Sequence, residues 1–140
     1  MNKYNELNNE VKDIIKEGSK LFDAINVNEK DECTDLSYFI SNYEIWYSKA
    51  FCIVKQLLHD RLNDFALLYK NDKRKTLEVS TYTVSDALRA IRNLSGSYNP
   101  STARFSMLRQ LNIVQSCLDT FDKKFLIFKI FYKRIFLILK

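Results

Sequence analysis

The chain of 140 residues carries a net charge of +5 and contains two glycines, one proline and three cysteines. This length is sufficient for one domain with a hydrophobic core, and so few glycines and prolines argue against an all-β domain, whose many turns need them. The cysteines are widely spaced and odd in number, form no Cys-x-x-Cys pair and follow no signal peptide. We therefore expect a reduced, cytoplasmic protein.

The basic excess is confined to the C-terminal end. Residues 123–140 hold six Lys or Arg and no acid, whereas the residues before them carry 16 basic and 17 acidic side chains. The high isoelectric point is therefore weak evidence for nucleic-acid binding. We predict two parts, a helical domain over residues 1–122 and a hydrophobic, basic tail over residues 123–140.

The first predicted helix covers residues 2–27, where apolar side chains recur every three or four positions. Asn2 is its candidate N-cap. Gly18 lies in the middle of this helix, at a cost of about 1 kcal/mol relative to Ala, so we expect it to mark a close helix crossing. Residues 28–34 are polar and are predicted to form a loop.

The central element is a predicted helix over residues 36–58, capped by Thr34 or Asp35. Its apolar residues are one, three or four positions apart and share one face. They are Leu36, Phe39, Ile40, Tyr43, Trp46, Tyr47, Ala50, Phe51, Val54, Leu57 and Leu58. Because such a face must be covered, we predict that the other helices pack around it and that Trp46 and Phe51 are almost fully buried.

The next part of the chain is predicted to bend near His59 and to continue as a short helix. Residues 76–84 are rich in β-branched side chains and are predicted to be extended, without a sheet, since no second strand is evident. A fourth helix is predicted to start at Thr83 or Ser85 and to end before residues 95–97. Its predicted inner face contains Val84, Leu88, Ile91 and Leu94.

The last helix is predicted to be long and to start at Ser101 or Thr102. Its apolar seam alternates steps of four and three, as in a heptad repeat. The seam contains Met107, Leu111, Val114, Leu118, Phe121, Phe125, Phe128, Tyr132, Ile135 and Leu139. The other side chains before Phe121 are predicted to form a polar surface, and Gln110 is one of them. Together these elements predict an all-α bundle of four to five helices with a long C-terminal helix.

The sequence shows no catalytic pattern. His59 is the single histidine, which excludes a multi-histidine metal site, and Asp60 and Asp64 near it are typical of a solvated helix face. Neither a phosphate-binding glycine loop nor a Gly-x-Ser-x-Gly motif is present. We therefore expect a protein that is not an enzyme and has no catalytic residue, no metal site and no cofactor.

A basic loop could instead hold an RNA backbone, because cations beside aromatic rings bind phosphates and stack bases. The candidate RNA-binding residues are Lys70, Lys73, Arg74, Lys75 and Tyr82. The alternative interpretation is a solvated loop between two helices.

Several short segments carry a family resemblance. They are EIWYSKA at 44–50, VKQLLHDRLNDF at 54–65, LYK at 68–70, KRK at 73–75, YTVSD at 82–86 and RQLNI at 109–113. Over roughly residues 40–123 they resemble the N-terminal helical region of a bacterial family of largely uncharacterised proteins. The second helical part of that family is similar to the HEPN superfamily of defence and toxin–antitoxin systems. The resemblance implies the regulatory or partner-binding portion of a defence-type protein.

Two departures from the HEPN pattern limit what the resemblance implies. HEPN ribonucleases carry an Arg four to six residues before a His, whereas His59 has no Arg in that window and Arg61 follows it. The ribonuclease residues are therefore not transferred to this chain. The second helical part of the family has no counterpart in the 140 residues, so we expect a truncated member.

The tail fits a membrane poorly. Lys129, Lys133 and Arg134 interrupt it, a span needs about 20 apolar residues, and its cations are spread around the helix. As a continued seam it leaves other apolar side chains exposed. These are Ile127, Ile130, Phe131, Phe136 and Ile138.

A frameshift offers another origin for the tail. Suitable AT-rich codons, read two nucleotides out of frame, give an amphipathic helix with acidic residues, similar to what the resembling family carries at this point. We therefore expect a frameshifted end. The alternative is a genuine tail that binds a membrane or a partner. The DNA beyond Lys124 decides between the two.

The expected function is a non-enzymatic helical interaction module with a protein partner, or one that self-associates, through the seam over residues 107–139. The alternatives are an RNA-binding protein that uses the loop over residues 70–75, and a small protein that associates with a membrane through its tail.

Overall fold

The computed structural model describes residues 3–139, so Asn2, the candidate N-cap, lies outside the described residues. Five α-helices follow one another along the chain. They are α1 (Lys3–Ile25), α2 (Leu36–Leu57), α3 (Leu62–Tyr69), α4 (Val84–Leu88) and α5 (Arg104–Leu139). The part of the chain that the structure describes contains no strand beyond an isolated bridge between Val27 and Cys33. The predicted all-α bundle with a long C-terminal helix is confirmed.

Helix α2 lies at the centre of the bundle, as predicted. Asp35 caps it, since its Oδ1 accepts a hydrogen bond from the Tyr38 amide at 3.1 Å. Trp46 is 1% exposed, which confirms its predicted burial. Its indole Nε1 donates to the carbonyl oxygen of Ile14 in α1 at 2.7 Å, so the ring is fixed by a hydrogen bond as well as by packing.

The prediction for Phe51 is wrong, because this side chain is only half-buried. At 3.6 residues per turn, Phe51 and Ile40 lie about 100° from the centre of the buried face of α2. They therefore stand at its edge, and Ile40 is 40% exposed. Ile53, which the predicted stripe left out, lies closer to that centre and is 3% exposed.

Helices α1 and α5 pack antiparallel, and Gly18 of α1 lies in tight contact with side chains of α5 and α2. A Cβ atom placed on Gly18 would lie 2.5 Å from Leu111 Cδ2 and 2.9 Å from two ring atoms of Trp46. No side chain fits there without displacing a neighbour. The close helix crossing predicted from this glycine is confirmed.

Gln110 is a polar side chain in the core, whereas the sequence predicted it on the polar surface of α5. It is fully buried. Its Oε1 accepts a hydrogen bond from the Tyr43 hydroxyl at 2.7 Å, and its Nε2 donates to the carbonyl oxygen of Phe65 at 3.2 Å. Burial raises the pKa of Tyr43, so its hydroxyl stays protonated as the donor. Gln110 thereby joins α5 to α2 and α3.

The predicted fourth helix is much shorter than expected. It ends at Leu88 because Ala90 adopts a positive φ of 54° and closes a C-terminal turn. In this turn the Ile91 amide donates to the Asp86 carbonyl at 3.0 Å and the Ala90 amide to the Ala87 carbonyl at 2.9 Å, the pattern of a Schellman motif. Leu94, predicted on the inner face, is consequently fully exposed.

The segments around the shorter helices agree with the sequence in part. A 3₁₀ turn at His59–Arg61 forms the predicted bend. The stretch predicted as extended contains a 3₁₀ turn at Val79–Thr81. The last helix begins later than predicted, at Arg104, after a 3₁₀ turn at Pro100–Ala103 that Asn99 caps.

Candidate functional site

The predicted RNA-binding residues do not form one surface. Arg74 pairs with the buried carboxylate of Asp86 through both terminal nitrogens, with Nη2 donating to Oδ1 at 2.8 Å. Its Nη1 also donates to the Thr81 carbonyl at 3.1 Å. Tyr82 is 3% exposed, and its hydroxyl donates to the Ile91 carbonyl at 2.6 Å. Arg74 therefore holds the loop onto α4, and Tyr82 holds the segment that follows α4. Neither side chain is open to a base or a phosphate.

Asp86 is the electrostatic centre of this arrangement. Burial alone would raise the pKa of its carboxyl, but the Arg74 guanidinium and the hydrogen bonds from Thr83 outweigh burial and hold the pKa below its ordinary value. The Thr83 amide donates to Asp86 Oδ2 at 2.8 Å. The carboxylate thus caps α4 and anchors the loop at the same time.

Three lysines of the predicted RNA site are exposed. Lys70, Lys73 and Lys75 all project from the loop, and Lys70 Nζ lies 3.9 Å from Asp72 Oδ1. RNA binding stays a prediction, and it now depends on these three side chains.

The residues considered for acid–base chemistry are exposed. His59 and Asp60 lie in the 3₁₀ turn before α3. Asp64 pairs with Arg61, whose Nε lies 3.0 Å from Asp64 Oδ2. Among residues 3–139, no three histidine, cysteine or acidic side chains are grouped as metal ligands would be.

The three thiols have different surroundings. Cys52 is exposed, Cys33 is half-buried and Cys117 is buried, and all three are free. Burial raises the pKa of Cys33, against the influence of Arg92 and Arg104, and it raises the pKa of Cys117 to about 11.

The most extensive unpartnered feature is the C-terminal part of α5, which carries nine large apolar side chains that are each at least 40% exposed. We call these nine side chains the tail surface. They are Leu126, Ile127, Phe128, Ile130, Phe131, Tyr132, Ile135, Leu137 and Ile138. The predicted exposure of the four tail residues with described side chains is confirmed, whereas the side chains of Phe136 and Leu139 and the whole of Lys140 lie outside the description.

The tail surface begins where the cover from α1 stops. The Tyr4 ring, in the first turn of α1, lies 5.1 Å from the Phe121 ring and 3.8 Å from the Phe125 ring, centroid to centroid. The Tyr4 hydroxyl also donates to Asp122 Oδ1 at 2.7 Å. Beyond Phe125 the same helix continues with its apolar side chains exposed to water.

Part of the tail surface continues the face of α5 that forms the core. Met107 and Val114 are fully buried. Steps of three and four from them lead along one side of the helix to Phe128, Tyr132 and Ile135. Neither glycine nor proline interrupts α5, so nothing in the sequence would kink it. The predicted seam is therefore packed in its first half and open in its second.

The cations of the tail lie beside this seam. At 100° per residue, Lys129 and Lys133 fall on one flank and Arg134 on the other, and all three are exposed. Lys129 Nζ lies 4.8 Å from the centroid of the Phe125 ring, within the range of a cation–π contact. Leu126, Ile130 and Leu137 lie beyond these cations on the opposite side of the helix, so the tail exposes apolar side chains nearly all round.

Comparison of the chain with protein-family models, with curated proteins and with solved structures finds no match. Within residues 3–139, no helix has the length and hydropathy needed for a membrane span.

The sequence analysis did not predict the structural roles of two buried polar residues, Asp86 and Gln110. The Thr-x-x-Asp pattern at 83–86 is a capping-box signal that could have identified Asp86. For Gln110 the position along α5 is the available signal, because it is one residue before the seam position Leu111 and so lies beside the core face.

Proposed function

We propose that this chain is a non-enzymatic helical interaction module whose binding surface is the tail surface of α5. The observation that carries the proposal is the run of nine exposed apolar side chains on one helix beyond the cover of α1. An aromatic side chain buries 150–250 Å², so the three exposed rings alone present on the order of 300 Å². A patch of this size is comparable to the largest on an ordinary monomer and is typical of a binding site.

The polar groups of the body support the same proposal. Asp86 forms hydrogen bonds with Arg74 and Thr83, and Gln110 forms hydrogen bonds with Tyr43 and Phe65. These two buried side chains stabilise the fold and are not available to a partner. The exposed apolar end of α5 is therefore the better candidate for a binding surface. The resemblance to the partner-binding portion of defence-type proteins agrees with a role of this kind.

The experiment is sedimentation velocity on the full chain over a range of concentrations. We expect concentration-dependent association, since an uncovered apolar helix buries its surface against any available partner, including another copy. The variant Phe128→Ser/Tyr132→Ser/Ile135→Ser is expected to sediment as a monomer.

A matched control removes exposed apolar side chains from the body instead. Ile45, Val79 and Leu94 are 61%, 48% and 109% exposed, so Ile45→Ser/Val79→Ser/Leu94→Ser should associate as the wild type does. Unchanged far-ultraviolet circular dichroism and Trp46 fluorescence verify that both variants are folded. A wild-type chain that stays monomeric at all concentrations would contradict the proposal.

A further inference from the structure

We propose that the tail surface inserts obliquely into one leaflet of an anionic lipid membrane and leaves the body of the protein outside it. This inference rests on the proposed function and specifies the partner. It follows from three features of the tail: apolar side chains nearly all round the helix, five cations without an acid, and the position of the body behind the tail.

The apolar side chains of the tail point in nearly every direction from the helix axis. At 100° per residue, Leu137 lies about 140° from Tyr132, and Phe131 lies about 100° from Tyr132 in the other direction. All three side chains are more than 60% exposed. Contact with one neighbouring helix needs an apolar stripe of about 100°, so such a contact would leave part of this surface in water. The acyl chains of a lipid leaflet surround an inserted helix and would cover all of it.

The charge of the tail matches an anionic surface. Residues 123–139 contain five cations and no acid, whereas the residues before them carry 16 basic and 17 acidic side chains. Anionic lipids attract Lys and Arg side chains that lie near the membrane surface. Association of tails with one another, which is expected in the absence of a partner, covers apolar side chains but brings the tails no counter-charge. An anionic leaflet supplies both, so it is the partner that the composition of the tail favours.

The cations lie where they can reach the lipid headgroups. Lys123 and Lys124 are at the end of the tail nearest the body, where the helix would enter the membrane. Lys129, Lys133 and Arg134 fall within an arc of about 140°, so one tilt of the helix turns all three toward the headgroups. Their long apolar stems can extend along the helix while the charged groups stay in the interfacial water.

The length of the tail surface suits one leaflet. From Leu126 to Ile138 the helix rises about 18 Å, whereas the hydrocarbon core of a bilayer is about 30 Å thick. A tilted helix of this length stays within one leaflet, where Leu126 and Ile130, which lie between the cations, would meet the upper parts of the acyl chains. The requirement for about 20 apolar residues applies to a span and not to this arrangement.

The body does not obstruct this insertion. Its cover of α5 ends where Tyr4, in the first turn of α1, stacks on the Phe125 ring at 3.8 Å. Beyond that ring, α5 continues away from the body without a glycine or proline that would kink it. Trp46 bonds to the Ile14 carbonyl, about 15 Å along α1 from Tyr4. An obliquely inserted tail therefore holds the body at the membrane surface, with Trp46 outside the bilayer.

The test is flotation of the full chain with large unilamellar vesicles, made either of phosphatidylcholine alone or of equal parts of phosphatidylcholine and phosphatidylglycerol. Flotation separates vesicle-bound protein from aggregates, which sink. We expect binding to be at least ten-fold tighter to the vesicles with phosphatidylglycerol, and this preference should shrink as salt is added. The emission maximum of Trp46 should stay unchanged on binding, because the body stays folded outside the bilayer.

Two variants test whether the tail is covered on opposite sides. Leu126→Ser/Ile130→Ser/Leu137→Ser changes the side between the cations, and Phe128→Ser/Tyr132→Ser/Ile135→Ser changes the side that continues the core face. Each should weaken binding to the phosphatidylglycerol vesicles at least ten-fold. A docking site for one protein helix would use only one of these sides, so unchanged vesicle binding of either variant would overturn the inference.

Matched controls move the same changes to the body. Ile45→Ser/Val79→Ser/Leu94→Ser should bind vesicles as the wild type does. Lys129→Gln/Lys133→Gln/Arg134→Gln should lose most of the preference for phosphatidylglycerol. Lys12, Lys16 and Lys20 are exposed on α1, so Lys12→Gln/Lys16→Gln/Lys20→Gln removes the same charge from the body and should keep that preference.

The outcomes separate this inference from the proposed function. Equal binding to both kinds of vesicle would overturn the anionic leaflet as the partner. Absence of binding to either kind, in a chain that still associates in sedimentation velocity, would overturn this inference in favour of a protein partner and leave the proposed function intact. A chain that neither floats with vesicles nor associates would overturn both.

Discussion

Replacement of Gly18 by alanine is expected to destabilise the protein, although the same change usually stabilises a helix. In an unconstrained helix interior, Gly→Ala gains about 1 kcal/mol. At this position the new methyl would lie 2.5 Å from Leu111 Cδ2 and 2.9 Å from the Trp46 ring. Leu111 can rotate away, but Trp46 is held by its hydrogen bond to the Ile14 carbonyl.

The magnitude follows from the competition between these two effects. Overpacking a core costs about 1–3 kcal/mol, so a net loss of about 1 kcal/mol in the free energy of unfolding is expected for Gly18→Ala. Urea denaturation followed by Trp46 fluorescence measures it. Ser19→Ala, at the exposed neighbouring position, is the control and should be neutral or slightly stabilising.

A second variant tests the cause of the loss. If the methyl at position 18 competes with Leu111, then Gly18→Ala/Leu111→Ala should lose less stability than the sum of the two single changes. A Gly18→Ala variant that is about 1 kcal/mol more stable than the wild type would refute the close packing of α1 on α5.

Gln110→Ala is expected to cost about 2–4 kcal/mol in urea denaturation, because it leaves two buried hydrogen-bonding groups without partners; a loss below about 1 kcal/mol would show that water replaces the amide. Asp86→Asn should destabilise the protein at neutral pH. Since the folded pKa of Asp86 is lowered, this difference in unfolding free energy should shrink as the pH falls below about 4, and a constant difference would argue against the Arg74 pair. With maleimide at neutral pH, Cys52 should react first and Cys117 last, because burial raises the pKa of Cys117 to about 11; mass spectrometry of the labelled peptides checks the order.

The sequence predicted the larger elements because their apolar periods are long and regular. The stripe on α2 and the seam on α5 each repeat over many turns, and a single glycine indicated where α1 crosses them. The partial exposure of Phe51 was not predictable, because its position at the edge of the buried face depends on where the neighbouring helices lie. The early end of α4 was not predictable, because Ala90 adopts a positive φ, a conformation in which glycine is usual.

The candidate site was predictable in part for a similar reason. The composition of the tail alone shows that it has more apolar side chains than contact with one neighbouring helix could bury. The roles of Arg74 and Tyr82 were not predictable, since each depends on a partner brought close by folding, Asp86 for one and the Ile91 carbonyl for the other. A cation and an aromatic ring have the same sequence signature whether they bind RNA or hold a loop in place.

The central claim is that the tail surface is uncovered in the free chain and becomes covered when the chain associates. Hydrogen–deuterium exchange of α5, measured on the full chain at low and high concentration, tests it most directly. We predict that amides over residues 104–121 stay protected throughout, whereas those over residues 126–138 exchange rapidly in the dilute chain and slow down when the chain associates at high concentration. Equal protection of both segments in the dilute monomer, unchanged by concentration, would contradict the account.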